Sequence, residues 1–256
     1  MYIMLPPFHQ RIEESSFSAL PAVQTLLHDG WLVRLAKGGP KRANSVNSLS
    51  QSTLPLDPKF RYCEALFARQ GVPLTFRLTG HPHNDALDVY LEQKGFLRMD
   101  ESMVMTLDLA GLPSTTASIY QELEAEAWFS RMMVLDSASQ IRKLKHIELL
   151  KMSALPAIYG SVEAGGAIGL GVLDGEYAGI FDIMTDPAMR RRGHARALTL
   201  GILEQAKRNG ATTAYLQVVA NNMPAVALYE SLGFVASYRY WYRCRPDQSN
   251  LQRQVL

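Results

Sequence analysis

Through residues 157–243 the apolar positions switch between two periods. Over 157–163, 167–173 and 177–185 they fall in short, β-former-rich, glycine-punctuated stretches that predict three strands, and Asp174-Gly175 between the last two marks a hairpin. Over 194–209 the spacing turns helical: Ala195, Leu198, Ile202 and Ala206 share one face, and Gly210 is placed to close the helix. Thr212–Val219 reads as a strand, 223–231 as a helix and Tyr238–Tyr242 as a last, aromatic strand. Upstream, Trp128, Met132 and Leu135, then Ile141, Leu144, Ile147 and Leu150, recur at helical spacing within roughly 115–155. Helices, a three-strand meander, then helix, strand, helix, strand make an α/β layered domain with a mixed α+β sheet.

The first half of the chain carries a fainter copy of this ending. The segment Asn84 to Phe96 aligns with Asn222 to Phe234, each pair twelve residues apart (96 − 84 and 234 − 222), and both segments close on Gly-Phe. Ahead of each lies a helix ending in glycine (Gly71, Gly210) and then a strand. Matched element order around a matched segment points to duplication. Residues 110–118, Ala-Gly-Leu-Pro-Ser-Thr-Thr-Ala-Ser, read as the linker. The expectation is an N-terminal domain over 1–112 and a C-terminal domain over 113–256. The copies differ where chemistry would sit: Tyr229 is matched by Leu91, and an Arg/Gly turn by Asp57-Pro58-Lys59-Phe60-Arg61, which has no glycine. The N-terminal copy is therefore read as degenerate.

Composition narrows the classes. With 47% apolar and 20% charged residues the 256-residue chain is globular, and a formal net charge of +2 lacks the basic excess of a nucleic-acid binder. No stretch approaches the ~18 apolar residues of a membrane span. The N-terminus lacks a basic n-region and reaches Glu13-Glu14 without a signal-like apolar core, so a cytoplasmic, unexported protein is expected. Cys63 and Cys244 have no neighbours at ligand spacing, so neither a disulfide framework nor a metal site is expected. His81-Pro82-His83 reads as a surface turn.

The densest chemical signal is Asp186-Pro187-Ala188-Met189-Arg190-Arg191-Arg192-Gly193-His194-Ala195-Arg196, between a strand and a helix start. Unsatisfied amides and the positive end of the helix dipole favour an anion there. A glycine lets a phosphate approach the backbone, and the arginines add countercharge. The segment lacks the Lys-Ser/Thr of a P-loop and the glycines of a dinucleotide fingerprint, which weighs against a nucleotide-binding protein.

Arg190-x-x-Gly193-x-Ala195 resembles the acetyl-CoA motif of the GNAT superfamily of N-acetyltransferases. The second motif of that family follows at the proper distance as Asn222-x-x-Ala225-x-x-Leu228-Tyr229-Glu230-Ser231-Leu232-Gly233-Phe234. The wording over roughly 157–243 is similar to the ribosomal-protein alanine acetyltransferases. The resemblance implies two tandem GNAT folds and acetyl transfer from acetyl-CoA, as cosubstrate, to an amine of a small molecule or protein by direct attack through a tetrahedral intermediate. It implies that the backbone of Ile183, Met184 and Thr185 pairs with the pantetheine arm and supplies an oxyanion donor. Amides across Arg190, Arg191, Arg192, Gly193, His194 and Ala195 would take the pyrophosphate, Asn222 would contact the cosubstrate, and Tyr229 would protonate the departing thiolate.

An attacking amine must first lose a proton. The alanine acetyltransferases use a glutamate on the strand before the second motif; Gln217 stands there and cannot accept a proton. Asp182 and Glu163 are the candidate bases. Trp128, Phe129, Tyr159 and Tyr177 are candidate liners of the acceptor pocket, and the long polar stretch Ala36–Pro58 is expected to fold over its acceptor side. A CoA-binding regulatory module without turnover, a transferase for a longer acyl group, and a homodimer stay open.

Overall fold

The computed structural model describes residues 6–112, 120–136, 138–162 and 166–246. In chain order the first half holds α1 (Pro7–Ala19), β1 (Gln24–His28), β2 (Trp31–Leu35), β3 (Val46–Ser48), α2 (Leu56–Gln70), β4 (Thr75–Thr79), α3 (Asp85–Gln93) and β5 (Leu97–Asp108). The second holds β6 (Tyr120–Glu122), α4 (Ala125–Leu135), α5 (Gln140–Lys151), β7 (Ala157–Val162), β8 (Ala167–Asp174), β9 (Tyr177–Thr185), α6 (His194–Arg208), β10 (Thr213–Val219), α7 (Met223–Ser231) and β11 (Val235–Cys244). The three-strand meander and the alternation after it stand as the apolar pattern predicts. Among the described residues no helix is long and apolar enough to cross a membrane.

All the strands join one 11-stranded sheet in the order β1-β2-β3-β4-β11-β5-β10-β9-β8-β7-β6. The repeat is visible in it. β4 runs parallel to β3, as β10 runs parallel to β9, and each then meets an antiparallel neighbour. That neighbour comes from the other half. β4 pairs with β11, β10 pairs with β5, and β5 and β11 pair with each other at the centre. The last strand of each copy is exchanged, so the boundary near residue 112 divides the chain without cutting the sheet. Residues 113–118 of the linker segment lie outside the described residues.

Alternation along the strands sends side chains to two cores. On one face α6 and α7 cover Met103, Met105, Ala178, Ile180 and Leu216, and α2 and α3 cover Trp31, Phe76, Leu78 and Trp241. On the other, α1, α4 and α5 cover Val104, Leu170, Phe181, Tyr215, Tyr238 and Tyr240. α6 lies close on its sheet because a Cβ added at Gly160 or Gly171 would come within 2.8 or 2.6 Å of Ile202. α1 ties the halves together. Its buried Glu13 accepts from both guanidinium nitrogens of Arg77 on β4 and from the Tyr238 hydroxyl on β11 at 2.6 Å, while Ser15 meets Tyr215 on β10 at 3.0 Å.

Several sequence expectations need correction. The span read as helical from 115 contains β6 before α4. Of the apolar positions at helical spacing in α5, Ile141 and Leu144 are 69% and 48% exposed, while Ile147 and Leu150, with Leu149, turn inward. Ala36–Pro58 is not one long loop but contains a 3₁₀ turn at Lys41–Ala43, β3 and the start of α2. Asp57–Arg61 lies inside α2 rather than before it. The His81-Pro82-His83 turn is half-buried: His81 packs on Tyr238 with ring centroids 5.6 Å apart, and a ring nitrogen of His83 lies 3.2 Å from the Ser48 carbonyl.

Candidate active site

β9 is the strand around which the site is built. It pairs with β8 along its length, but β10 follows it only from Tyr177 to Ile180, opposite Thr213 to Leu216. From Phe181 onward β9 therefore has a strand partner on one side only, and the other edge faces a widening gap. A bulge sharpens the divergence: Phe181 and Met184 oppose Leu170 and Ile168, so Asp182 and Ile183 face Gly169 alone, and Asp182 takes a left-handed φ of 50°. The Gly169 carbonyl accepts from the Trp128 indole at 3.0 Å. Ile183, Met184 and Thr185 follow on the unpaired stretch, half-buried.

Past β9, Asp186 caps a 3₁₀ turn by accepting from the Ala188 amide at 2.9 Å, and the chain enters α6 through Gly193. Gly193 has φ +83°, and no atom lies within 4 Å of where its Cβ would be. A side chain there would be strained and would occupy open space before the helix N-terminus. Arg190, Arg191 and Arg192 are exposed around the turn. His194 and Ala195 open the helix, with the His194 ring buried and both its nitrogens unpartnered among the described residues. Open backbone, a helix end and exposed guanidiniums fit a pyrophosphate.

Asn222 caps α7 by accepting from the Ala225 amide at 3.4 Å. About two helical turns beyond the cap, Tyr229 is buried edge-on to Phe234, and burial pushes its hydroxyl up to about 12. Its hydroxyl has no hydrogen-bond partner among the described residues.

Of the two candidate bases, Glu163 lies outside the described residues. Asp182 is paired: a carboxylate oxygen sits 2.9 Å from Nε2 of His146 on α5. Burial alone would raise the Asp182 pKa, but the charge and hydrogen bond of His146, with the charge of Arg42, outweigh it and hold the carboxyl below its ordinary value. Asp182 is thus a carboxylate that accepts from Nε2–H. When the ring is neutral and donates Nε2–H to Asp182, Nδ1 is the nitrogen left to accept a proton. His146 was missed in the sequence because a lone histidine on a helix carries no motif; its partner is 36 residues away. Gln217 accepts from the Tyr240 hydroxyl at 3.2 Å, and its buried Nε2 is unpartnered among the described residues.

His146 and Asp182 open onto a cavity of about 590 Å³. It is lined by Gly38, Pro40 and Arg42, by Met132 near the end of α4, by Asp136, Ala138 and Ser139, and by Arg142 on α5. The first part of Ala36–Pro58 does fold over this side: Gly39 lies against Leu149, and the Arg42 guanidinium sits 5.2 Å over the Phe181 ring. The aromatic liners expected from sequence do not border the cavity. Trp128, Phe129 and Tyr177 are buried core, and Tyr159 packs on Trp128 and Phe129 at 5.7 and 5.6 Å. Among the described residues no group of three or more His, Cys, Asp or Glu could hold a metal ion.

Comparison with known proteins agrees with this geometry. A family model described as "Probable histone acetyltransferase Rv0428c C-terminal" matches residues 10–243. The uncharacterized N-acetyltransferase YobR of Bacillus subtilis is 26% identical over 247 residues, covering 92% of this chain and 98% of YobR. The ribosomal protein bS18 alanine N-acetyltransferase of Escherichia coli is 44% identical over 57 residues, 22% of this chain and 38% of the enzyme. Among solved structures, a GCN5-related N-acetyltransferase from Kribbella flavida has a TM-score of 0.65 at 15% identity, covering 93% of this chain and 95% of that one. A tandem GNAT protein from the clavulanic acid biosynthesis pathway has 0.58 at 15%, covering 95% and 97%.

Proposed function

The chain belongs to the Rv0428c C-terminal acetyltransferase family within the GNAT superfamily and is an acyltransferase, and from that premise we propose that it moves the acetyl group of acetyl-CoA to an amine held in the cavity beside His146. The working half is 113–256, and 1–112 is its degenerate partner. Acetyl-CoA, as substrate, brings a thioester open to direct attack.

The amides from Arg190 to Ala195 bind the pyrophosphate, with the arginines as countercharge. The free edge of β9 over Ile183, Met184 and Thr185 takes the pantetheine arm as a strand would, and Asn222 flanks it. An amide of that edge donates to the thioester oxygen as it gains charge. Nδ1 of His146 removes the ammonium proton of the acceptor, and Asp182 fixes the ring and stabilises the imidazolium. Tyr229 donates to the departing sulfur. A hydroxyl near 12 stays protonated at neutral pH. Full transfer to a thiolate of ordinary pKa, about 8.5, is uphill, so its contribution is a hydrogen bond that strengthens as charge builds.

The observation that carries this reading is the unpaired edge of β9 leading into the open turn at Gly193. Calorimetric titration of acetyl-CoA into the protein tests it. Micromolar binding that is lost in both Arg192→Glu and Gly193→Asp supports the site. Wild-type protein that takes up no acetyl-CoA overturns it.

A further inference from the structure

The cavity beside His146 is lined from both halves of the chain and by side chains of both charges. Arg42 enters from the first half and Arg142 from the first turn of α5. Neither side chain makes an ion pair or a side-chain hydrogen bond with another described residue, although long cationic side chains beside carboxylates usually find one. Ser139, at the N-cap of α5, adds a buried hydroxyl with no partner among the described residues. It stands where a helix end already favours negative charge. Two guanidiniums, a hydroxyl with no described partner and a helix N-terminus therefore all line this cavity. The same lining holds Asp136 and the Asp182–His146 pair, with the charge of Arg42 already felt by Asp182.

A lining with two arginines and two aspartates, one of them bound to a histidine, matches a guest that itself carries both signs. From this we infer that the acceptor is a small zwitterionic amine. Its carboxylate is bound by Arg42 and Arg142 at the α5 N-terminus, and its amino group is turned toward His146 and Asp182. A cavity of about 590 Å³ is the size of a small-molecule site. A free carboxylate is what separates such an acceptor from a protein N-terminus, where an amide takes its place. A guanidinium grips a carboxylate with two parallel hydrogen bonds and has nothing comparable to offer a neutral carboxamide. The inference rests on the transferase reading above, and its test separates the two.

The test offers matched pairs of amines, free amino acids against their carboxamides, with acetyl-CoA, and follows thiol release. A parallel calorimetric titration of each pair into CoA-loaded protein reads binding without turnover. The acid of at least one pair is expected to exceed its amide by about tenfold or more in kcat/KM and in affinity, the scale of one charged hydrogen bond. Arg42→Met and Arg142→Met should each collapse that preference through KM while acetyl-CoA affinity stays at the wild-type value, which also reports that the variants fold. Amides used or bound as well as acids, a preference that survives both substitutions, or silence of every acid while acetyl-CoA binds would each overturn the zwitterionic acceptor and leave the cosubstrate site standing. Failure of acetyl-CoA itself to bind would sink the transferase reading beneath it.

Discussion

The two copies of the repeat share a frame and part company at one place. α3 and α7 begin one residue after Asn84 and Asn222 and end nine residues after them, and each is followed by a strand that crosses to the other half. At the head of α6 the backbone is open: Gly193 has clear space before it and the arginines are exposed. At the head of α2 the equivalent ground is taken from within. Asp29, in the β1–β2 turn, accepts from the amides of Thr53 and Leu54 at 3.0 and 2.9 Å and from the Thr53 hydroxyl at 2.6 Å. Lys59, in the first turn of α2, is fully buried, 3.1 Å from Asp29 and 3.9 Å over the Trp31 ring. The first half meets its helix end with its own carboxylate, where the second half leaves room for a foreign anion. With Leu91 buried in the place of Tyr229, the first copy fills with its own side chains the ground that the second leaves open at Gly193.

That contrast can be broken or sharpened in three ways. The largest effect is expected at Glu13, which bonds to both sides of the exchanged sheet. Glu13→Ala leaves Arg77 buried without its countercharge and should lower the unfolding free energy in urea by about 3–5 kcal/mol, with Glu13→Ala/Arg77→Met losing less than the single variant. Burial would raise the Glu13 pKa, but Arg77 and the Tyr238 hydroxyl outweigh it and hold it below the ordinary 4.5. The pair's contribution is therefore complete above pH 4.5 and disappears as pH falls through the lowered folded value. In Glu13→Ala that acid-side loss should be missing from the pH dependence of stability.

Next in size are the groups with no working counterpart in the first half. Tyr229→Phe should cut kcat by about 100-fold with little change in acetyl-CoA affinity. His146→Gln should cost a similar factor in kcat with acetyl-CoA affinity kept, while Leu91→Tyr in the first half adds no activity. Equal rates in Tyr229→Phe and wild type would return that side chain to the core. The smallest effect belongs to Asp29→Ala. Lys59 keeps the Asp29 carbonyl and the Ser52 hydroxyl, so the expected cost is about 1–2 kcal/mol of stability, with acetyl-CoA titrating as in wild type. Weakened acetyl-CoA binding in this variant would mean that the first half is not closed to the cosubstrate.

How legible each part was in the sequence follows from how local its cause is. The limits of α7 could be read because Asn222 caps it and Gly233 ends it within a short segment. β11 begins earlier than its aromatic run because Val235 and Ala236 are held by Thr106 and Met105, a pairing across more than a hundred residues that no window of sequence contains. Ile141 and Leu144 have helical spacing but the wrong phase, since α5 spends its neighbouring positions, Arg142 and His146, on the cavity rather than the core. The turn at Gly193 was legible because its glycine, arginines and helix start are contiguous. The His146–Asp182 pair and the joint lining of the cavity by Arg42 and Arg142 were not, since each draws on elements that only the fold brings together.

The exchange of β5 and β11 also bears on how such a chain is made and kept. During synthesis β5 emerges with neither of its neighbours in existence, for both β10 and β11 are still to be translated. Until β11 is made, the edges of β4 and β5 that it joins at the centre of the sheet have no partner strand. Each half contributes a strand that pairs with the other half, so deleting either would open the centre of the sheet.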